Sequence, residues 1–90
     1  MNNGSKKSMF VTPNPVTDTI SLHITSDIAA LSDIRVVDVI GKILYKGISK
    51  LTKGENIIYV NDLTYAAPGT YLVQAIIDGE VLVQKIVISK

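Results

Sequence analysis

Apolar and polar residues alternate with a period of two along much of this chain, and that pattern restricts its fold more than any other feature. Ile20, Leu22 and Ile24 alternate with Ser21, His23 and Thr25. Successive side chains of an extended strand point to opposite faces, so such a run buries one face only. After Thr70, the residues Tyr71, Val73, Ala75 and Ile77 share one wholly apolar face, and Leu72, Gln74, Ile76 and Asp78 share the other. The first face is predicted to point at the core, because a slip of one residue would turn it to water. Further β-rich runs at 34–39, 43–48, 57–60 and 81–88, with a short one at 9–12, bring the expected count to about seven strands.

The breaks between these runs carry turn chemistry. In Pro13-Asn14-Pro15 each proline fixes its own φ and pushes its predecessor out of the helical region. Asp38-Val39-Ile40-Gly41 ends one strand and turns into the next, with Gly41 free to take positive φ. Lys53-Gly54-Glu55-Asn56 is expected to be another reversal, Pro68-Gly69 a turn and Asp78-Gly79 a two-residue hairpin loop. Residues 26–31 could hold one helical turn, with Ser26 or Asp27 as its cap, though such a turn is too short to stand alone. Short strands with turn signals every 8–12 residues or so predict an all-β, immunoglobulin-like antiparallel β-sandwich. At 90 residues the chain has room for one domain, read as 9–90 behind a polar leader, linker or cloning remnant at 1–8.

Composition removes several kinds of chemistry. Nine Lys and Arg against eight Asp and Glu leave a formal net charge of +1, and the lysines are spread along the chain. That argues against nucleic acid or an anionic membrane as a partner, since both call for a basic excess. The absence of Cys excludes disulfides, thiolate zinc sites and a Cys nucleophile. His23 is the sole histidine and falls on the outer face of its strand, where a solvated side chain is expected; any Ser-His-Asp triad would have to use it. Asp27 and Asp33 flank a loop and could help hold a hard cation, but the alternating ligand spacing of a calcium loop is missing. No phosphate-binding glycine pattern occurs. Of the tyrosines, Tyr71 is expected in the core with its hydroxyl at the rim, and Tyr45, Tyr59 and Tyr65 as half-buried strand residues. No enzyme activity and no cofactor are expected.

The last segment stands apart. Val81, Val83 and Val87 lie on one face, interrupted by Lys85, while Leu82, Ile86 and Ile88 lie on the other. Such a strand is either buried between two neighbours or an accessible edge that a partner strand can join.

Taken in order, these segments resemble the C-terminal sorting domains of the type IX secretion system (type A, the Por secretion system family). The residues Thr12-Pro13-Asn14-Pro15-Val16-Thr17-Asp18 are similar to the family's Pro-Asn-Pro opening. Ile34 to Lys42 resembles its strand with Asp and Gly turn, and Gly54-Glu55-Asn56 with the following 57–63 its next segment. Gly69-Thr70-Tyr71-Leu72-Val73 resembles the Gly-x-Tyr strand, and Gln84-Lys85-Ile86-Val87-Ile88-Ser89-Lys90 the Lys-bearing terminal strand. The likeness covers roughly residues 9–90; each motif is weak alone, and their order and spacing make the combination specific. The link before Gly69 is longer than in the shortest family versions, and residues 1–8 contain no recognisable cleavage signal.

The resemblance implies a non-enzymatic address at the C-terminus of an exported protein of Bacteroidota, with the cargo on a preceding part of the protein. Its implied partners are the outer-membrane translocon, shuttle and sortase components, with passage through the periplasm to the cell surface or beyond and removal by a sortase-like peptidase. Pro13, Asn14 and Pro15 would mark where the domain begins; Asp38, Gly41, Gly69 and Tyr71 would define the fold. Lys85, Ile86, Val87, Ile88, Ser89 and Lys90 would be read by the machinery, and the same strand could pair with a second copy. The alternatives are an adhesive or structural immunoglobulin-like module, which would bind through its loops, and a carbohydrate-binding sandwich, which would show several coplanar aromatics on one face. A small hydrolase is the enzyme alternative.

Overall fold

The alternating runs become seven strands: β1 (Ser8–Thr12), β2 (Ile20–Ser26), β3 (Ala30–Asp38), β4 (Ile43–Leu51), β5 (Gly54–Val60), β6 (Gly69–Ile77) and β7 (Glu80–Ile88). They are drawn from a computed structural model that describes residues 6–61 and 63–89. Antiparallel pairing assembles a three-stranded sheet in the order β1-β2-β5 and a four-stranded sheet in the order β4-β3-β6-β7. The expected all-β sandwich is therefore present, and β1, β5, β4 and β7 are its edges.

The core lies between the sheets and is filled by the predicted faces. Ile20, Leu22 and Ile24 of β2 meet Ile34 and Val36 of β3, and Tyr71, Val73, Ala75 and Ile77 of β6. All are essentially removed from water, at roughly 1.5–3 kcal/mol for each large apolar side chain. Three core residues come from links instead of strands: Val16 and Leu63 are fully buried and Ala66 nearly so. Alternation carries no information there, so only the assembled fold reveals them.

Several boundaries depart from expectation. No helical turn forms over 26–31: Ser26 Oγ accepts the Ile28 N–H at 3.2 Å and donates to the Ile28 carbonyl at 2.7 Å, closing a tight turn that lets β3 start at Ala30. The expected reversal at 53–56 sits earlier, because Gly54-Glu55-Asn56 already belong to β5. Asn56 secures that reversal: its Oδ1 accepts the Thr52 N–H at 2.9 Å and its Nδ2 donates to the carbonyls of Thr52, Gly54 and Ile24. Asp78 and Gly79 both take positive φ, 50° and 84°, as the predicted two-residue hairpin requires. Ser8, expected in the leader, is the first residue of β1. Residues 1–5 of that leader lie outside the described residues.

Candidate functional site

Four of the five motif segments, scattered through the sequence, meet at one end of the four-stranded sheet, and the one at 54–63 begins on β5 of the other sheet. Register places Asp38 of β3 opposite Tyr71 of β6, and Tyr71 opposite Ile86 of β7. Asp38 builds the β3–β4 turn: its Oδ1 accepts the N–H of Ile40 at 3.0 Å and of Lys42 at 2.8 Å, while its carbonyl accepts the Gly41 N–H at 3.0 Å. Gly41 takes φ 89°, a conformation that a Cβ would strain. Tyr71 is buried and donates its hydroxyl to the Ala67 carbonyl at 2.6 Å. A tyrosine near the start of a strand that bonds back to the preceding link is the tyrosine corner of immunoglobulin-like sandwiches. Gly69 opens the same strand opposite Ile88.

Pro13-Asn14-Pro15 carries the chain from one sheet to the other. Thr12 still pairs with Ser21 in the three-stranded sheet, whereas Val16 forms a parallel bridge with Ile88 in the four-stranded one. The Val16 N–H donates to the Val87 carbonyl at 2.8 Å, and the Ser89 N–H donates to the Val16 carbonyl at 2.7 Å. Asn14 completes the clasp, its Oδ1 accepting the Val87 N–H at 3.1 Å. The first and last motifs of the sequence thus hold each other.

This clasp covers only half of the outer edge of β7. Backbone groups of alternate residues face the same side of a strand. Since those of Val87 face away from β6, those of Val81, Val83 and Lys85 do too; β1 passes close to β7, but among the described residues no strand pairs with it on that side. Of the expected recognition residues, Ile86 and Ile88 are buried in the core, while Lys85, Val87 and Ser89 are exposed. Lys90 lies outside the described residues. Of the two environments open to this strand, the structure contains the edge.

The remaining candidates are placed as follows. His23 is on the outer face as expected, but it is half-buried beneath Phe10: the rings stack 4.4 Å apart and 4° from parallel. Its Nε2 lies 3.0 Å from Thr12 Oγ1, so the stacking ring and the hydroxyl partner both come from β1. Tyr45 is half-buried, but Tyr59 and Tyr65 are 63% and 98% exposed; Tyr65 is in the β5–β6 link and not in a strand. Asp27 meets the Lys7 ammonium at 3.0 Å, and Glu80 meets the same ammonium at 3.7 Å. The hydrogen bond with Lys7 holds the Asp27 carboxyl below its ordinary value, and the hydrogen bond with Asp27 raises the Lys7 ammonium above its own. Among the described residues no three acidic or histidine side chains gather as a metal site. Sequence reasoning missed Val16 and Asn56, whose roles depend on partners distant in the chain.

Comparison with known proteins agrees with this geometry. The family model described as the secretion system C-terminal sorting domain matches residues 10–89. A solved structure, the β-glucosidase from Listeria innocua in complex with glucose, superposes with a TM-score of 0.54 at 15% identity. The match covers 96% of this chain and 16% of that enzyme, and at this identity it speaks for the fold alone. No curated protein sequence matches the chain.

Proposed function

Because the chain belongs to the C-terminal sorting domain family of type IX secretion, we propose that residues 9–90 are a prefolded address whose open β7 edge is read by the export machinery. A type IX sorting signal directs export to the cell surface or the extracellular space. The observation that carries the finer reading is the half-covered edge of β7: Asn14 and Val16 hold its far half, which leaves the Val81, Val83 and Lys85 backbone open. A partner strand gains backbone hydrogen bonds along such an edge, and the outward Lys85, Val87 and Ser89 side chains supply selectivity. Because the edge is fixed by the sandwich, docking need not order a flexible tail. Pro13, Asn14 and Pro15, with Asp38, Gly41, Gly69 and Tyr71, serve recognition by holding that edge in place. The partners of this reading are the outer-membrane translocon with its shuttle and sortase components. The cargo precedes the domain, crosses the periplasm with it and is freed by cleavage upstream of Pro13.

The test is a periplasm-targeted fluorescent reporter fused to residues 9–90, in a Bacteroidota host with and without a working type IX translocon. Reporter outside the cell only in the competent host is expected. Removing residues 86–90 is a poor probe, because Ile86 and Ile88 are core. Val83→Pro removes an outward N–H and Lys85→Glu reverses an exposed charge, and both are expected to lower export while thermal unfolding shows a folded domain. Reporter retained in both hosts would overturn the sorting role. Export of the folded double variant at the wild-type level would overturn the role of β7.

A further inference from the structure

The outer face of the four-stranded sheet gathers charge that the sequence scatters. Register sets Lys46 beside Arg35, Lys50 beside Leu31 and Lys85 beside Leu72, all on the face opposite to the core. Asp33 is the one carboxylate among the strand residues of this face, so it carries an excess of three positive charges on a chain whose formal net is +1. Among the described residues the ion pairs within 4 Å belong to Lys7, so none of these four cations has a carboxylate within that distance.

Large aliphatic side chains are interleaved with the cations. Leu31, Ile48, Val81 and Val83 are between 53% and 69% exposed on the same face. Aromatic side chains do not join them: Tyr45, opposite Val36, turns inward and packs against the core, and Tyr71 is buried. Single-stranded nucleic acid is held by stacking on aromatics as well as by charge, so this surface does not suit it. Two surface depressions lie elsewhere, one beside Phe10, His23 and Ile57 and another beside Asp38, Tyr65 and Tyr71. Neither depression is lined by Arg35, Lys46, Lys50 or Lys85.

We infer that this face docks on the surface of an anionic lipid bilayer. Lysine and arginine meet the phosphate headgroups, and the aliphatic side chains between them enter the headgroup boundary while the lysine stems lie along it. Such contact is reversible, weak in neutral lipid and screened by salt. The face shares Lys85, Val81 and Val83 with the edge of the sorting proposal, but Lys46 and Lys50 lie on β4, at the opposite edge of the sheet from β7, so variants there test the two readings apart.

Co-sedimentation of the purified chain with phosphatidylcholine vesicles, with and without phosphatidylglycerol, tests it. Binding is expected only when phosphatidylglycerol is present, and it should fall as salt is raised. Each unit of positive charge removed should weaken binding about fivefold. Lys46→Gln with Lys50→Gln should therefore lose about 25-fold, at positions exposed enough to leave folding intact. Leu31→Ser with Ile48→Ser should weaken binding while keeping its salt dependence. Equal binding to both vesicle types, no binding to either, or a Lys46→Gln/Lys50→Gln variant that binds as tightly as wild type would overturn the inference. Capture by immobilised polyglutamate without binding to anionic vesicles would also overturn it, pointing to an acidic protein instead.

Discussion

β1 and the segment after it are tied to the four-stranded sheet twice, and the two ties differ in kind. Just beyond the C-terminal end of β1, Val16 exchanges backbone hydrogen bonds with Val87 and Ser89, and Asn14 adds a side-chain bond to Val87. Just before its N-terminal end, the Lys7 ammonium meets Asp27 in the β2–β3 turn and Glu80 at the start of β7. The first tie is made of amides, is directional and responds little to salt. The second is ionic, with Asp27 substantially exposed, and so is open to screening and titration. Four of the five family motifs sit at the amide end, while Gly54-Glu55-Asn56 lies beside Ser26 at the ionic one. A site that must present a strand edge in one fixed register gains from hydrogen bonds whose geometry does not vary with the medium.

The strongest way to break the amide end is from within. Ile86→Ala would empty a fully buried position beneath the clasp and should cost about 2–5 kcal/mol in chemical denaturation, with Ile24→Ala in the other sheet costing a similar amount. A much smaller cost for Ile86 would mean that the clasped strand is not packed as described. Next in size, Asn14→Ala removes one bond to a backbone N–H at an exposed site and should cost about 1 kcal/mol. It should also speed amide exchange at Val87, and neither effect should change with salt. Normal protection at Val87 would show that Val16 alone holds the edge.

The smallest effect is expected at the ionic end and sharpens the contrast through pH. The Asp27 carboxyl is held below its ordinary value of 3.8, so its contribution is present above that pH and disappears as the pH falls through the lowered folded value. The Lys7 ammonium is raised above 10.5, so its contribution is present below that pH and disappears as the pH rises through the raised folded value. Stability from this pair should be level between the two limits. An acid titration should show a shallow loss below pH 3.8 that Asp27→Asn abolishes and high salt erases. An acid limb unchanged in Asp27→Asn would remove the pair from the account.

Much of this arrangement was legible from local pattern. The alternation of 20–25 and 71–77 marked the buried faces, and Asp78-Gly79 marked a hairpin, because side-chain direction and turn conformation are set by the residues themselves. Val16, Leu63 and Ala66 were not legible as core, since they lie in links where no period applies. His23 looked solvated because its cover, Phe10, is a cross-strand neighbour from an earlier segment. The lysines looked dispersed because distance along the chain says nothing of which strands lie side by side.

By itself, then, the sequence determined a small all-β sandwich, the inner face of its strands, and the ordered motifs of a sorting domain. The tertiary structure decided that β7 is an edge, that Pro13-Asn14-Pro15 crosses between sheets to cover half of it, and that four cations share one outer face. The division follows from range: strand period and turn chemistry act between neighbours in the chain, whereas edges, clasps and charged faces are made by pairing residues far apart in it.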